Sequence, residues 1–355
     1  MTAPVADSTW PEVLERLIRR EDLPPDDVAW AMGEVLAGRA TPAQIGAFAA
    51  LLRAKGETPA ELAALIRTML AVAVRVPVEA EGTDGPLVDT CGTGGDRAGT
   101  FNISTVAALV AAAAGARVAK HGNRAASSSC GSADLLEALG VRLDMDPGGV
   151  ARCIRQVGIG FCFAPRFHPA LRHAAGARRE LGIPTTFNFL GPLANPAGVR
   201  RQVVGVSDPR MADRLLGALA DLGAVHAMVV FGHDGLDELT TTDVSTVREL
   251  RDGVVQRYVL DPVELGLARA APGDLAGGDP AANAATARAL LAGSGPEPLA
   301  EVVCLNAAAA LIVAGVAAGW EDGLARARAA LDGGGAAERL ARLVACSTHD
   351  PLEED

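Results

Sequence analysis

The chain has few lysines, few aromatic residues and no long apolar run. Of its 32 basic residues only Lys55 and Lys120 are lysine, and aromatic residues make up 3% of the 355 residues. Since arginine serves almost everywhere else, each lysine is expected to occupy a position that arginine cannot fill. The longest apolar run without glycine, residues 106–114, is about half the ~18 residues that a transmembrane helix needs. The sequence therefore predicts no membrane span.

Further absences narrow the class of protein. The net charge of -11 argues against broad nucleic-acid binding, which needs a basic surface. The six cysteines are scattered without a C-x-x-C pair, which favours reduced thiols over a disulfide framework or a zinc site. Residues 1–12 contain neither a basic nor an apolar region, so no signal peptide is predicted and we expect a cytoplasmic protein.

Glycine, by contrast, is abundant. It accounts for 40 of 355 residues, well above the usual ~7%. It is concentrated in residues 92–99, 115–140 and 273–278, so loops with unusual backbone conformations are expected there. The length and the 49% hydrophobic residues suit two domains, or one large α/β domain with an appendage.

Helix-start signals predict a small helical domain at the N-terminus. They occur at residues 9–12, 41–44 and 58–61, the last two being capping boxes with proline at the first helical position. In the first helix, Leu14, Leu17 and Ile18 share the face that we expect to be buried.

From residue 87 onward, short apolar strands alternate with glycine-rich turns and helices. This alternation predicts an α/β fold with a mainly parallel sheet flanked by helices. Residues 251–260 are expected to form one arm of a hairpin. We place the boundary between a helical domain, residues 1–78, and an α/β domain, residues 79–355. The polar segment 166–196 is expected to contribute to the helical domain.

The first segment that suggests chemistry is a glycine-rich loop after a predicted strand. Residues 89–96 read DTCGTGGD, and residues 100–105 read TFNIST at the start of an alanine-rich helix. Loop N–H groups and the positive end of a helix dipole together form a cradle for an anion. The loop matches neither G-x-G-x-x-G, since residue 97 is Arg, nor a P-loop, since neither lysine follows a glycine. A tight turn with a polar helix cap is the alternative.

The second such segment, KHGNRAASSSCGS at residues 120–132, follows another predicted strand. Its charged, amide and hydroxyl side chains offer more donors than a loop needs for itself, and a multiply charged anion would use them. Lysine suits a phosphate as a compact charge on a flexible stem. A solvated polar loop is the alternative.

Two further features are weaker by themselves. Asp237 and Glu238 follow a predicted strand and carry the oxygen ligands that Mg²⁺ prefers, with a solvated turn as the alternative. The guanidinium of Arg178 is suited to bind a carboxylate through two parallel hydrogen bonds. The alternative is a surface arginine that covers apolar area. His168 and His173 do not share a helix face, so they are not a predicted metal pair. The two loops and the acidic pair predict a site for a polyphosphate with Mg²⁺, and leave open nucleotide hydrolysis, phosphoryl transfer and glycosyl transfer.

At these residues the sequence resembles the anthranilate phosphoribosyltransferase family. The matching segments, in order over almost the whole chain, are 89–96, 102–105, 120–140, 161–165, 178–182, 187–196, 237–241, 277–279, Asn283 and 305–308. The combination of GTGGD and KHGN is highly specific. The resemblance implies a small helical domain beside a nucleoside phosphorylase/phosphoribosyltransferase-like α/β domain, and a homodimer formed through the helical domains. It implies transfer of the phosphoribosyl group of phosphoribosyl pyrophosphate (PRPP) to the amine of anthranilate, with release of pyrophosphate, in tryptophan biosynthesis.

The resemblance also implies residue roles. Those implied to bind PRPP are Gly92, Gly95, Asp96, Thr100, Asn102, Ile103, Ser104, Thr105, Lys120, His121, Gly122, Asn123, Arg124, Ala125, Ala126, Ser127, Ser128 and Ser132. The implied magnesium ligands are Ser104, Asp237 and Glu238. The implied anthranilate contacts are Gly92, Asn123 and Arg178, with His121, Pro165 and His168 lining the approach. No covalent intermediate and no obligatory acid or base residue is expected, because the amine of anthranilate is already neutral.

Some positions depart from the family pattern. Cys130 stands where serine is frequent, Pro184 where arginine is frequent, and residues 298–300 lack a usual Arg-Asp pair. None of these is an implied ligand. A pyrimidine nucleoside phosphorylase is the alternative within the same fold, and the motif at residues 121–123 disfavours it. A non-catalytic relative is disfavoured by the retained Lys120 and acidic pair.

Overall fold

The computed structural model describes residues 8–125 and 129–349. Its N-terminal part is a helical bundle of α1 (Trp10–Ile18), α2 (Pro25–Leu36), α3 (Pro42–Lys55) and α4 (Pro59–Ala71). The predicted capping boxes are present. Thr41 Oγ1 accepts the Gln44 N–H at 3.3 Å, and the Gln44 side chain accepts the Thr41 N–H at 2.8 Å. Thr58 and Glu61 form the same reciprocal pair. These bonds satisfy N–H groups that the first helical turn leaves unpaired.

The rest of the chain is built around one twisted sheet. Its strands are β1 (Glu81–Gly82), β2 (Gly85–Gly92), β3 (Arg117–Gly122), β4 (Ile159–Phe163), β5 (Arg201–Gly205), β6 (His226–Gly232), β7 (Ser245–Arg251) and β8 (Val254–Leu260). Their order across the sheet is β4-β3-β2-β5-β6-β7-β8, with β1 paired to β2. Strands β2 to β6 are parallel, and β7 and β8 extend the sheet in antiparallel fashion.

The strand order reverses next to β2. The chain adds β3 and β4 on one side of β2, and then returns to add β5 and β6 on the other. The connections that leave β2 and β5 therefore diverge, and a crevice opens at the carboxyl ends of these strands. Such a switch point is the usual place for a ligand in an open α/β sheet.

Helices cover both faces of the sheet. The helices that follow the bundle are α5 (Ile103–Ala113), α6 (Ser132–Ala138), α7 (Pro147–Val157), α8 (Ala164–Phe167), α9 (Arg172–Leu181), α10 (Phe187–Leu193), α11 (Ala212–Asp221), α12 (Pro280–Leu291), α13 (Glu297–Val313), α14 (Trp320–Asp332) and α15 (Gly335–Thr348). Single 3-10 turns occur at Pro169–Leu171, Pro209–Met211, Pro262–Leu265 and Pro272–Leu275. None of the helices in the described ranges is long and apolar enough to cross a membrane.

Successive strand residues belong to two different hydrophobic cores, because side chains alternate between the faces of a strand. In β5, Val203 joins the core built with α5 and α13, whereas Val204 joins the core built with the helical bundle and α11. Met228 and Val229 divide in the same way in β6. The sheet is thus buried on both faces, as parallel sheets usually are. The predicted fold class, a small helical domain beside a mainly parallel α/β domain, is confirmed.

The segment after β4 returns to the helical bundle. There α9 packs on α2 and α3, and α10 packs on α4. The linker that follows α4 runs beside both ends of this segment: the Val74 N–H donates to the Phe167 carbonyl at 2.9 Å, and the Val76 N–H donates to the Pro196 carbonyl at 3.2 Å. The chain crossings between the two domains therefore lie side by side.

One predicted buried position is exposed. In α1 the buried residues Trp10, Val13 and Leu17 follow an i, i+3, i+7 stripe, whereas Ile18 is 65% exposed. Ile18 lies ~100° further around the helix than Leu17, so it falls outside the stripe that contacts the bundle.

The predicted hairpin arm is also displaced. Arg251 ends β7 instead of starting the second arm, and the turn consists of Asp252 and Gly253, with φ of 49° and 81°. Two consecutive residues with positive φ are typical of the tight turns that match the twist of paired strands. The Asp-Gly pair thus connects two strands that both belong to the sheet.

Candidate active site

The glycine-rich loop lies between β2 and α5, at the switch point of the sheet. Gly94, Gly95 and Gly99 have φ of 68°, 88° and 64°, and Arg97 also has a positive φ of 57°. This left-handed backbone explains the glycines that the sequence concentrates here. Left-handed positions of this kind occur in anion-binding nests, and of the four only residue 97 carries Arg instead of glycine.

The first half of this loop is held by residues from two other strand ends. The Gly94 N–H donates to Asp237 Oδ2 at 2.6 Å, and the Gly94 carbonyl accepts a hydrogen bond from Ser207 Oγ at 2.9 Å. A Cβ at Gly92 would overlap the Asp237 carboxylate, and a Cβ at Gly205 would overlap the Asp237 carbonyl. The absence of side chains at these two positions is what lets the acidic segment approach the loop.

The acidic pair faces the start of α5. The Ser104 N–H, in the first turn of α5, donates to Glu238 Oε1 at 3.2 Å. Burial raises the pKa values of Asp237 and Glu238, and the negative charges of Asp96 and Asp237, respectively, raise them further. Asp237 is buried and Glu238 is partly buried, and the crowding of negative charge at this position favours the binding of a cation.

The donor set at this position is one of hard oxygen atoms. Asp237, Glu238 and Ser104 all offer oxygen, which suits Mg²⁺. Within the described ranges 8–125 and 129–349, no group of three or more His, Cys, Asp and Glu residues is arranged to enclose a metal ion. The residues therefore fit an ion that takes a few protein ligands and completes its shell with water and a substrate.

Lys120 lies beneath the glycine loop and is only 2% exposed. Its Nζ donates to the Thr90 carbonyl at 2.6 Å. Burial raises the pKa of Asp89 to about 6, and the nearby Lys120 charge opposes that rise. The same Lys120 charge acts on Glu238. Lys120 is therefore a buried positive charge that acts on the buried Asp89 and the partly buried Glu238, a role that its location in the sequence does not reveal.

The remainder of the lysine loop folds back on α6. The Arg124 guanidinium pairs with Glu137 at 2.7 Å and with Asp134 at 3.0 Å, so its donors face α6. The Asn123 N–H donates to Ser132 Oγ at 3.2 Å, which joins the two ends of the loop. The predicted residues Ala126, Ser127 and Ser128 lie outside the described residues.

Some predicted ligands have their backbone donors already engaged. The Ile103 and Thr105 side chains are buried, and their N–H groups donate to the carbonyls of Phe101 and Asn102. Thr100 forms an isolated bridge with Ala276. These three residues shape the start of α5, while Ser104 and the loop before it present polar groups toward the acidic pair.

Arg178 and the histidines lie where the helical domain meets the α/β domain. Arg178, in α9, is partly buried over the Phe187 ring, 5.9 Å from its centroid. In the described part of the chain no carboxylate pairs with its guanidinium, and burial lowers the pKa of Arg178. A partly buried arginine without an acidic partner is suited to an anionic ligand.

Two predicted approach residues are in contact with each other. The rings of His121 and His168 are 5.2 Å apart. His121 Nδ1 bonds the Gly191 carbonyl at 3.0 Å, and its Nε2 is buried without a protein partner in the described residues. Burial, with a further contribution from His168, lowers the pKa of His121 to about 3, so this imidazole is neutral near pH 7. Pro165, by contrast, is exposed.

Three buried asparagines hold the site segments, and reasoning from motifs alone assigned them no role. Asn195 Nδ2 donates to Asp89 Oδ2 at 2.8 Å, and Asn283 Nδ2 donates to Asn102 Oδ1 at 2.9 Å. Asn306 bonds both backbone groups of Leu239. One signal was available for Asn306, because it is a lone amide in an otherwise apolar helical run.

Comparisons with known proteins identify relatives of both parts of the chain. Residues 11–73 match the helical bundle domain and residues 84–337 match the a/b domain of a glycosyl transferase family. The chain is 52% identical to an anthranilate phosphoribosyltransferase of Roseiflexus castenholzii, over 94% of this chain and 97% of the relative. It is 50% identical to that of Mycolicibacterium vanbaalenii, over 95% and 93%.

Two solved structures are similar in fold. The anthranilate phosphoribosyltransferase of Thermus thermophilus superposes with a TM-score of 0.88 at 44% identity, over 95% of this chain and 99% of the other. That of Saccharomyces cerevisiae, solved in complex with PRPP and Mg, superposes with a TM-score of 0.87 at 25% identity, over 97% and 99%.

Proposed function

Because the chain belongs to the anthranilate phosphoribosyltransferase family, we propose that it transfers the phosphoribosyl group of PRPP to anthranilate. The products are N-(5-phosphoribosyl)anthranilate and pyrophosphate, and the reaction belongs to tryptophan biosynthesis. The observation that carries this proposal is the meeting of the glycine loop, Lys120 and the Asp237–Glu238 pair at the switch point of the sheet. Together these groups offer a loop for an anion, a positive charge and oxygen ligands for magnesium, which would stabilise a pyrophosphate group as it leaves the sugar.

The reaction breaks the bond from the ribose C1′ to pyrophosphate and forms a bond from C1′ to the anthranilate nitrogen. The nitrogen lone pair makes the new bond, the pyrophosphate leaves with the old pair, and the nitrogen loses a proton to solvent. Since the amine is neutral, no strong base is required. The protein's task is to hold the leaving group's charge and to place the amine behind C1′.

The glycine loop and the positive end of the α5 dipole would receive the pyrophosphate, while the Gly94 and Ser104 N–H groups hold the acidic pair beside it. The loop is held in place by the bonds of Gly94 with Asp237 and Ser207, so little reorganisation is needed when charge develops. The proposed PRPP site also includes Gly95, Asp96, Asn102 and residues 120–128 and Ser132.

Asp237, Glu238 and Ser104 would hold magnesium. Bound there, the ion would neutralise charge on the diphosphate and orient it. The negative charges of Asp96 and Asp237 close to this position favour a cation there.

Arg178 would bind the carboxylate of anthranilate. Its guanidinium lies at the edge of the helical domain, has no described acidic partner and is partly desolvated, which strengthens its attraction to an anion. Gly92 and Asn123 would complete this part of the site, and His121 and His168 would line its approach. Because His121 is neutral, it adds no positive charge to the route by which anthranilate would enter the site.

The test is a direct assay. Purified protein is mixed with PRPP, Mg²⁺ and anthranilate, and the loss of anthranilate fluorescence is followed together with pyrophosphate release. We expect both signals in equal amounts and neither after chelation of Mg²⁺. Absence of turnover with anthranilate, together with phosphorolysis of thymidine or uridine, would favour a nucleoside phosphorylase instead.

The assembly and location are also part of the proposal. We propose a homodimer formed through the helical domains, a cytoplasmic location, and domain boundaries at 1–78 and 79–355 with 166–196 joining the helical domain. The neighbouring crossings at Val74 and Val76 support this division. Light scattering coupled to size-exclusion chromatography tests the dimer, and a mass of 36.2 kDa would show a monomer.

A further inference from the structure

A single amide interrupts the apolar sequence of α13. Between Val302 and Val313 every residue is Ala, Val, Leu, Ile or Cys except Asn306, which is 4% exposed. A polar side chain in such a position must find hydrogen-bond partners or destabilise the fold. The identity of those partners therefore indicates why the chain retains an amide there.

The partners of Asn306 belong to the acidic segment of the site. Asn306 Oδ1 accepts the Leu239 N–H at 3.1 Å, and Nδ2 donates to the Leu239 carbonyl at 2.8 Å. Nδ2 also donates to the Val302 carbonyl one turn earlier at 2.9 Å, which fixes the amide relative to its own helix. The Asn306 amide thus bonds both the N–H and the carbonyl of Leu239, as a residue in a paired β-strand would.

Leu239 is the residue that follows Glu238. Its N–H belongs to the peptide group shared with Glu238, so the Asn306 bond sets the plane from which the Glu238 side chain departs. Asp237 is close on the other side, where its backbone carbonyl approaches Gly205 so tightly that a Cβ there would overlap it. The acidic pair is therefore clamped between β5 and α13.

Such a clamp counteracts the electrostatic repulsion between the two carboxylates of the acidic pair. Asp237 and Glu238 are adjacent carboxylates, the first buried and the second partly buried, and an unrestrained loop would relieve their repulsion by turning one of them away. The Gly94 and Ser104 N–H groups hold the two carboxylates from the side of the glycine loop and the start of α5. Asn306 holds the backbone from the opposite side.

We propose that Asn306 is a positioning residue that holds the Asp237–Glu238 pair in place for a divalent cation. The proposal deepens the proposed function and rests on it. It assigns to the apolar helix α13 a part in cation binding, although no residue of that helix belongs to the proposed site.

The test compares two truncations in the same helix. Asn306→Ala removes the clamp, and Val303→Ala removes a fully buried apolar side chain one turn earlier in α13. Isothermal titration with Mn²⁺ and pyrophosphate gives the Kd of the pair of ligands for each protein, and thermal melting gives the loss of Tm. We expect both variants to melt earlier, but only Asn306→Ala to bind about ten-fold more weakly, because it loses the two hydrogen bonds to Leu239 along with the one to Val302.

Kinetics provide a second readout. In Asn306→Ala the Mg²⁺ concentration for half-maximal rate and the KM for PRPP should rise, while the KM for anthranilate should stay within two-fold of wild type. Should Asn306→Ala fail to fold, Asn306→Ser, which keeps a hydroxyl donor and acceptor, should show a smaller shift of the same kind.

The outcomes separate the inference from the function. Equal weakening by Asn306→Ala and Val303→Ala, or an unchanged Kd in both asparagine variants, would reduce Asn306 to a structural amide. Wild-type protein that binds Mn²⁺ and pyrophosphate with the expected dependence on Asn306, but does not convert anthranilate, would overturn the proposed function and leave the positioning role standing.

Discussion

The Lys120 ammonium donates a hydrogen bond of 2.6 Å to the Thr90 carbonyl oxygen, joining β3 to the neighbouring β2 directly beneath the glycine loop. The other lysine is equally enclosed: the Lys55 side chain is 3% exposed and its Nζ contacts Asp22, Glu61 and the Gly56 carbonyl. Both lysines of this arginine-rich chain are thus buried, where a compact ammonium fits and a planar guanidinium does not.

We expect Lys120→Arg to lower kcat/KM for PRPP by at least about 100-fold, because a displaced charge no longer faces Asp89 and Glu238. Overpacking should also lower the free energy of unfolding by about 1–3 kcal/mol. Lys55→Arg is the matched control: it should cost similar stability but keep KM for PRPP. Steady-state kinetics and urea unfolding measure the two effects, and wild-type kinetics in Lys120→Arg would contradict the assignment.

Arg178→Ala should raise the KM for anthranilate by about 10- to 100-fold, the equivalent of losing one charge-assisted pair. The KM for PRPP should change little, because Arg178 lies in α9 and its proposed ligand is anthranilate. Arg179→Ala, at the adjacent exposed position, should leave both constants near wild type. Equal effects of Arg178→Ala on the two substrates would remove its proposed role.

Gly92→Ala should impair activity without a change in any ligand side chain. The added Cβ would overlap the Asp237 carboxylate, so the acidic segment must move away from the glycine loop. We expect a higher Mg²⁺ requirement and a loss of about 1–3 kcal/mol in stability. Gly33→Ala, inside α2 with no atom within 4 Å of the new Cβ, should instead stabilise by about 0.5–1 kcal/mol. Denaturation and Mg²⁺ titration of both variants test this contrast.

Below about pH 6.5 the buried His121 should contribute a loss of stability, while the raised pKa values of Asp89, Asp237 and Glu238 contribute in the opposite direction. Its folded-state pKa of about 3 lies below the unfolded value of ~6.5, so the unfolded chain takes up a proton that the folded chain excludes. The sign is therefore a loss of stability on acidification, which ends only below the folded pKa. From pH 7 to pH 5 this buried group alone should cost about 2 kcal/mol.

Urea unfolding at pH 7, 6 and 5 measures this dependence. The stability of His121→Asn relative to wild type should rise by about 2 kcal/mol from pH 7 to pH 5, while His233→Asn, which replaces an exposed histidine, should keep the slope of wild type. Burial also lowers the pKa of His168, so His168 contributes in the same direction as His121 and its contribution should remain in His121→Asn. Parallel slopes for His121→Asn and wild type would contradict the assignment.

Much of the fold was predictable from short-range patterns. The capping boxes at Thr41 and Thr58 and the Asp252-Gly253 turn depend on residues a few positions apart, and so they can be identified in the sequence. The error at Ile18 has the same origin: a helical pattern defines an apolar face, but the neighbouring helices decide how wide a stripe is covered.

The candidate site was predictable in its residues more than in their contacts. Arg124 was expected to bind the substrate, yet its guanidinium pairs with Asp134 and Glu137 of α6. Asn306 drew no functional interpretation, although it holds the segment that carries the acidic pair. In both cases the tertiary packing determines which residue the side chain bonds, and a local sequence pattern does not contain that information.

By itself the sequence determined the class of fold, the two glycine and lysine loops and the presence of an acidic pair, because backbone conformation and residue chemistry are local properties. Only the tertiary structure decided that Gly94 meets Asp237, 143 residues away, and that Lys120 lies buried against Thr90. Such contacts depend on the strand order, which places the carboxyl ends of β2, β3 and β6 at the same end of the sheet. They also depend on glycines, because the missing side chains let the segments after these strands approach each other.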